Sequence, residues 1–219
     1  MRSPMRLMDL LLPPACAGCG RSAGTLLCDT CRSRLRAPSD ERDRFVAPDA
    51  GLVVGERLVL AMAAYAYEGP MRRALAALKY GGASRVAPVL AGLAAPTLSR
   101  LRAISGEAAL VPVPVHAERL AARGYDQAAL LARPLGRQTR LPVMPVLVRV
   151  RATTKQHRLD RGARLRNLRG AFAIRGPAPP IAIIIDDIIT TTATLESCAA
   201  VLNDAGCEAV YGLAIAREV

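Results

Sequence analysis

The segment Ile181-Ala-Ile-Ile-Ile-Asp-Asp-Ile-Ile-Thr-Thr-Thr-Ala-Thr194 constrains this chain more than any other. An apolar, β-branched run leads into two adjacent carboxylates, Asp186 and Asp187, then a hydroxyl-rich turn, then a helical pattern. A short run of this kind reads as a buried parallel strand, here residues 181 to 185. In α/β folds the carboxyl end of such a strand, opening into a helix N-terminus, is where ligands sit. The N–H groups and macrodipole of that helix favour a phosphate, and threonine hydroxyls add donors. Paired aspartates accept hydrogen bonds from neighbouring sugar hydroxyls or hold them through a hydrated Mg²⁺. One turn therefore suits a ribose phosphate. An N-capped helix after a buried strand explains one carboxylate or one threonine, but not two Asp and four Thr within nine residues.

This segment resembles the phosphoribosyl-pyrophosphate (PRPP) motif of type I phosphoribosyltransferases, a hydrophobic strand, two acidic residues, two variable ones and Thr-Thr-Gly-x-Thr. Thr192 stands where that family usually has Gly. A Cβ at that position crowds a phosphate or forbids a positive φ.

The amino-terminal part carries a second pattern, Cys16-Ala-Gly-Cys19 and Cys28-Asp-Thr-Cys31. Four thiolates from two such turns fit one tetrahedral Zn²⁺, and redox-active thiols are the competing reading. A closed Cys₄ site has no open coordination position, so its role is structural. Cys198 and Cys207, in or after the last helix, read as core residues. The short patch Leu10-Leu-Leu12 falls below a signal h-region, and no apolar run approaches a membrane span, so the expected location is cytoplasmic. The expected division is a zinc-ribbon module at 1–36, a linker rich in Pro and charge at 37–56, and an α/β domain at 57–219.

Within that domain the pattern predicts strands at 58–67, 109–115, 143–150, 181–185 and 209–216. Helices are expected at 71–79, 83–101, from the Arg119/Arg123 pair through 135, and at 194–205. Strands alternating with helices predict a mostly parallel sheet with helices on both faces. Pro112 and Pro114 mark the end of the 109–115 strand. Residues 151–169 are basic and aperiodic and read as a functional loop.

The net charge of +12 is localised. Between Arg119 and Arg175 stand fourteen basic residues and two acidic ones, an excess equal to that of the whole chain. Such a stretch reads as a surface for phosphates, whether of a nucleotide, a pyrophosphate or a single-stranded nucleic acid. With no Trp and two Phe, no base-stacking pocket is legible.

Six features stand in order along the chain: the Cys₄ module, Leu78-Lys79-Tyr80, Val111-Pro-Val-Pro114, Arg119-x-x-x-Arg123-Gly-Tyr-Asp-Gln127, Gln156-x-x-Leu159 leading to Arg164-x-x-Asn167, and Asp186-Asp187-x-x-Thr190-Thr191. Together they resemble the ComF family, the competence protein F and double-zinc-ribbon phosphoribosyltransferase group. The resemblance implies a type I phosphoribosyltransferase fold and a role in DNA uptake. It implies that Asp186 and Asp187 hold the ribose hydroxyls of PRPP with Mg²⁺, and that Thr190, Thr191, Thr192, Ala193 and Thr194 cradle its 5′-phosphate. Arg119 would face the pyrophosphate, and 151–169 would close over the site. Asp126 stands where the family usually has Asn. The acceptor is not legible. The alternative is a non-catalytic protein that binds single-stranded DNA, or one whose zinc module docks a competence helicase or another DNA-processing partner.

Overall fold

The computed structural model describes residues 14–38, 52–80, 83–151 and 170–218. Gly81, Gly82, Gln156, His157, Leu159, Arg164 and Asn167, with nearly all of the expected closing loop, lie outside them.

The main sheet has five strands: β1 (Leu52–Val53), β2 (Leu60–Ala66), β3 (Ala109–Pro112), and, further along the chain, Ile181–Ile189 and Ala209–Arg217. A separate ribbon is formed by β4 (Leu147–Arg149) and β5 (Phe172–Ile174), so Ile181–Ile189 is β6 and Ala209–Arg217 is β7. The order is β1-β2-β7-β6-β3, with β2, β7, β6 and β3 mutually parallel and β1 antiparallel at the edge. Six α-helices occur among the described residues: α1 (Asp29–Arg32), α2 (Gly69–Tyr80), α3 (Ala87–Ser105), α4 (Ala117–Arg123), α5 (Gln127–Thr139) and α6 (Ala193–Asp204).

Alternation along the strands divides the core in two. Ile183, Ile185, Leu213, Ile215, Met62 and Leu110 pack with Leu75, Leu78, Leu90, Leu98, Leu131 and Leu135 of α2, α3 and α5. Ala182, Ile184, Val210, Ala214, Ala61 and Val111 pack on the opposite face with Leu195, Cys198, Ala199 and Leu202 of α6. The expected parallel sheet with helices on both faces is therefore present. The α6 layer lies close: a Cβ on Gly212 would fall 2.8 Å from the Ala61 Cβ and 3.1 Å from a Leu195 methyl. Cys198 and Cys207 are buried core residues, as expected.

Several boundaries differ from the sequence expectation: the helix expected from the Arg119/Arg123 pair through 135 is two helices, α4 and α5, parted where Gly124 takes a positive φ, and β1 falls within the expected linker. The helix expected over 83–101 opens as a 3₁₀ turn, Ser84–Val86, and α3 then runs to Ser105, where Gly106 at φ 72° ends it. The strand expected over 143–150 is interrupted by Pro145, which has no N–H to give. Val143 bridges Leu110 beside β3, and the chain then leaves the sheet to form the β4–β5 ribbon. The strand expected to stop at residue 185 continues to Ile189, pairing Asp186 with Ala214 and Ile188 with Ala216. The two aspartates thus belong to the strand itself.

The cysteine module packs on this domain. Cys16, Leu27 and Cys31 cluster with Leu35, Val89 and Leu93. Arg73 on α2 donates to the Gly18 carbonyl, and the Ala66 N–H donates to the Arg36 carbonyl at 2.9 Å.

Candidate functional site

The carboxyl ends of β3 and β6 lie side by side. Ala109 to Pro112 pair with Ala182 to Ile185, and the Val113 N–H donates to the Ile185 carbonyl at 3.0 Å. The chain leaving β3 at Val113 and the turn leaving β6 at Thr190 therefore open on the same edge. Asp126 joins the first of these to α5: its Oδ1 caps the helix at the Ala129 N–H (3.0 Å), and its Oδ2 accepts from the Val115 N–H (2.9 Å).

Because Asp186 and Asp187 are consecutive in a strand, their side chains leave opposite faces of the sheet. Asp187, 4% exposed, faces α2, where Lys79 Nζ lies 2.9 Å from its Oδ2. Asp186 lies on the α6 side, near Cys198 and Arg149, and its Oδ1 accepts from the Asp187 N–H at 2.8 Å. The pair straddles the strand end. Burial pushes the Asp186 carboxyl up to about 8, and the Asp187 charge adds to the rise; the Asp187 N–H and Lys79 act against it. Burial weakens the Lys79 ammonium, but the attraction of Asp187 outweighs it, and the Lys79 pKa sits above its ordinary value. Lys79 is thus an internal cation for the acidic pair.

Thr190 to Thr192 form the whole connection from β6 to α6. Thr190 is exposed, Thr191 and Thr194 are half-buried, and Thr192 and Ala193 are buried. No side chain caps α6, and the Glu196 N–H, bonded to the Thr192 carbonyl at 2.8 Å, is the first to join the helical ladder there. The amides of Ala193, Thr194 and Leu195 precede that ladder, as the first N–H groups of any helix do. Thr192 has φ −66° and ψ −9°, ordinary right-handed geometry, so the backbone here does not require glycine.

Arg119 lies exposed on α4, at the same edge, close enough to Arg149 for their charges to interact. The two helix motifs named from the sequence meet each other: the Tyr125 hydroxyl donates to the Leu78 carbonyl at 2.5 Å, and the Arg123 guanidinium lies over the Tyr80 ring, 5.7 Å from its centroid. From sequence, Lys79 reads equally as helix-end dipole compensation and as part of the Leu78-Lys79-Tyr80 motif; that motif is the available signal. Arg149 and Cys198 carry none, because their nearness to Asp186 depends on the ribbon and on α6.

The second centre is built by the knuckles. The Sγ atoms of Cys16, Cys19, Cys28 and Cys31 all lie within 4.8 Å of one another, with Cys19 and Cys28 at 3.9 Å. A tetrahedral Zn²⁺ with Zn–S bonds of about 2.3 Å requires S···S edges of about 3.8 Å, so the donor set fits zinc. Burial opposes ionisation of Cys16, but the N–H groups of Cys28, Gly18 and Cys19 outweigh it and bring the thiol down to about 6. Burial and the neighbouring thiols push Cys31 up to about 12. A cation at the centre of the four sulfurs would relieve both effects. Gly18 is needed for the approach, since a Cβ there would fall 2.8 Å from the Cys31 sulfur.

Residues 7–42 match the family model of the double zinc ribbon domain. The chain is 31% identical over 156 residues to the DNA utilization protein YhgH of Salmonella typhi and to that of Escherichia coli strain K12, covering 69% of this chain and 69% of each relative. It is 35% identical over 115 residues to competence protein F of Haemophilus influenzae, covering 50% of each chain. Four cysteines converging in an N-terminal zinc ribbon, joined to a parallel α/β sheet and accompanied by these relatives, make the chain a member of the ComF family.

Proposed function

We propose that the chain binds PRPP with Mg²⁺ at the end of β6 and serves DNA utilization, as the names of its relatives indicate for those proteins. One observation carries this reading: an acidic pair at the carboxyl end of a parallel strand, Asp187 buried and Asp186 half-buried, runs, through three threonines, directly into an uncapped helix N-terminus. Asp186 and Asp187 would take the ribose hydroxyls and Mg²⁺. Thr190, Thr191, Thr192, Ala193 and Thr194 would receive the 5′-phosphate, with the macrodipole of α6 aimed at it. Arg119 would face the pyrophosphate. In the transfer, the C1′–O bond to pyrophosphate breaks with its electron pair leaving on oxygen, and an acceptor nucleophile bonds to C1′. The acceptor's proton passes to solvent or to the departing pyrophosphate. The protein's part is positioning and charge stabilisation rather than general-base chemistry.

Calorimetry with Mg²⁺ and PRPP on zinc-loaded protein tests the reading, against a double variant carrying Asp186→Ala and Asp187→Ala. Binding by the wild type that the variant loses supports it. Failure of the folded wild type to bind PRPP sinks it.

A second reading is favoured by Arg119 on α4 and Arg149 on β4, whose charges lie close enough to interact, with Arg123 on the same helix as Arg119 and Arg151 two residues after Arg149: the same edge would receive the phosphates of single-stranded DNA without transfer chemistry. Retention of DNA binding by a variant that cannot bind PRPP would separate the two.

A further inference from the structure

Helix α4 buries none of its residues, yet it is held at the mouth of the site by its cap Gly124 and by the loop that follows. A helix that adds nothing to the core presents its side chains outward. Arg119 and Leu120 are exposed there, and Arg123 turns toward the end of α2. At that end stands Tyr80, 70% exposed. Among the described aromatic residues Tyr80 is the exposed one; Tyr65, Tyr67 and Tyr125 are half-buried, and Phe172 and Tyr211 are buried. The ring is also braced. Arg123 lies over it, and Gln127 Oε1 accepts from the Arg123 guanidinium in turn. The bond from the Tyr125 hydroxyl to the Leu78 carbonyl ties the whole motif to the last turn of α2. The neighbouring residue, Lys79, reaches the acidic pair.

We infer that Tyr80 and Arg123 form a stacking subsite for a planar nucleobase at the mouth of the sugar-phosphate cleft. A base offers a π face to an aromatic ring or a guanidinium whatever its sequence, and a ring held in place by a cation loses little freedom on receiving it. The chemistry is the same for a free base and for a base carried in a single strand. The inference takes its setting from the proposed PRPP site, but stacking by Tyr80 is measurable without PRPP.

The test uses full-length, zinc-loaded protein and the variants Tyr80→Ala and Tyr80→Phe, with thermal melts as the folding control. Fluorescence anisotropy compares labelled oligothymidine of about twelve nucleotides with an abasic strand of equal length, so that phosphate contacts are constant. Saturation-transfer NMR with adenine and uracil, with and without Mg²⁺ and PRPP, probes the free base. Preference for the base-bearing strand of about tenfold or more, lost in Tyr80→Ala and kept in Tyr80→Phe, assigns the subsite to a strand. Free-base signals with the same dependence on residue 80 assign it to a free acceptor. Equal binding of both strands together with no free-base signal overturns the inference, as does any base preference that Tyr80→Ala leaves unchanged. Calorimetry with PRPP on Tyr80→Ala keeps the two readings apart: loss of base recognition with PRPP affinity intact marks the stack alone. Base recognition by a wild type that does not bind PRPP means that the sugar-phosphate reading has failed and the stack has not.

Discussion

At the scale of single residues, the acidic pair is held by arrangements that a sequence pattern conveys only in part. Two carboxylates and a threonine turn are legible as chemistry. Their placement on opposite faces is not, because the hydrophobic run ends at Ile185 while strand pairing continues past it. Asp126 shows the same limit. It stands where the ComF family usually has Asn, and from sequence the substitution reads as added charge near a basic loop. In the structure both of its oxygens are occupied, one by the α5 cap and one by the Val115 N–H that leads out of β3. Asparagine can keep the cap but turns an NH₂ toward Val115. Asp126→Asn is therefore expected to cost about 1–3 kcal/mol through the orphaned N–H. Burial raises the Asp126 pKa above 3.8, against the pull of the bonds from Ala129, Val115 and Ala128. A carboxyl whose folded pKa is raised holds its proton more tightly when folded. Protonation then favours folding, and its contribution grows as pH falls through the folded pKa toward 3.8. The variant has no such dependence at this position. The stability gap between wild type and Asp126→Asn should widen as pH falls from about 7.5 to about 4.5 in urea titrations. A gap that is constant, or that narrows, would show that burial does not govern this carboxyl.

At the scale of elements, most of the α/β domain is legible because its helices and strands have clean periods and glycine stops. The errors fall where a local rule is interrupted, at Pro145, at Gly124 between α4 and α5, at the 3₁₀ opening of α3 and at the end of β6. The cysteine module is legible from spacing alone, but its setting is not. Val89 and Leu93 of α3 complete the small cluster around Cys16, Leu27 and Cys31, and Arg73 of α2 holds the Gly18 carbonyl. The module has too little core of its own to survive loss of its metal. Purified protein should carry one zinc per chain by atomic emission. Chelation should open residues 14–38 to protease and uncover Val89 and Leu93, while the main sheet, whose two cores contain none of the four ligands, melts as a separate transition. Zinc-free protein with an unchanged melt and an uncut amino-terminal segment would mean that the four thiols pack without metal.

At the scale of the whole molecule, the question is where the charge of +12 acts. The sequence locates the excess in residues 119–175 but cannot say that this stretch serves two ends of the sheet. Helix α5 separates them. Its start lies beside Asp126 and the carboxyl ends of the strands; its end, with Arg133, Arg137 and Arg140, lies over Leu141 to Val143 at the amino end of β3. Arg149, near Asp186 and Arg119, belongs to the first end, with Arg123 on the helix of Arg119 and Arg151 two residues after Arg149. If single-stranded DNA follows the same edge as the proposed sugar-phosphate site, this group, rather than the arginines at the far end of α5, should contribute to the salt dependence among the described residues. Four arginines, each neutralising one phosphate, would contribute about −3 to the slope of log K against log salt concentration. Replacing Arg119 and Arg151 by Gln should reduce the slope by roughly 1.4, about 0.7 for each arginine replaced. Replacing Arg133, Arg137 and Arg140 should leave it unchanged, although the total charge falls by more. A slope that follows total charge instead of position would identify diffuse attraction, and the carboxyl edge of the sheet would lose its claim to the strand. A slope that follows position would place phosphate recognition beside Asp186 and Asp187, where a parallel strand, a threonine turn and a helix N-terminus already converge.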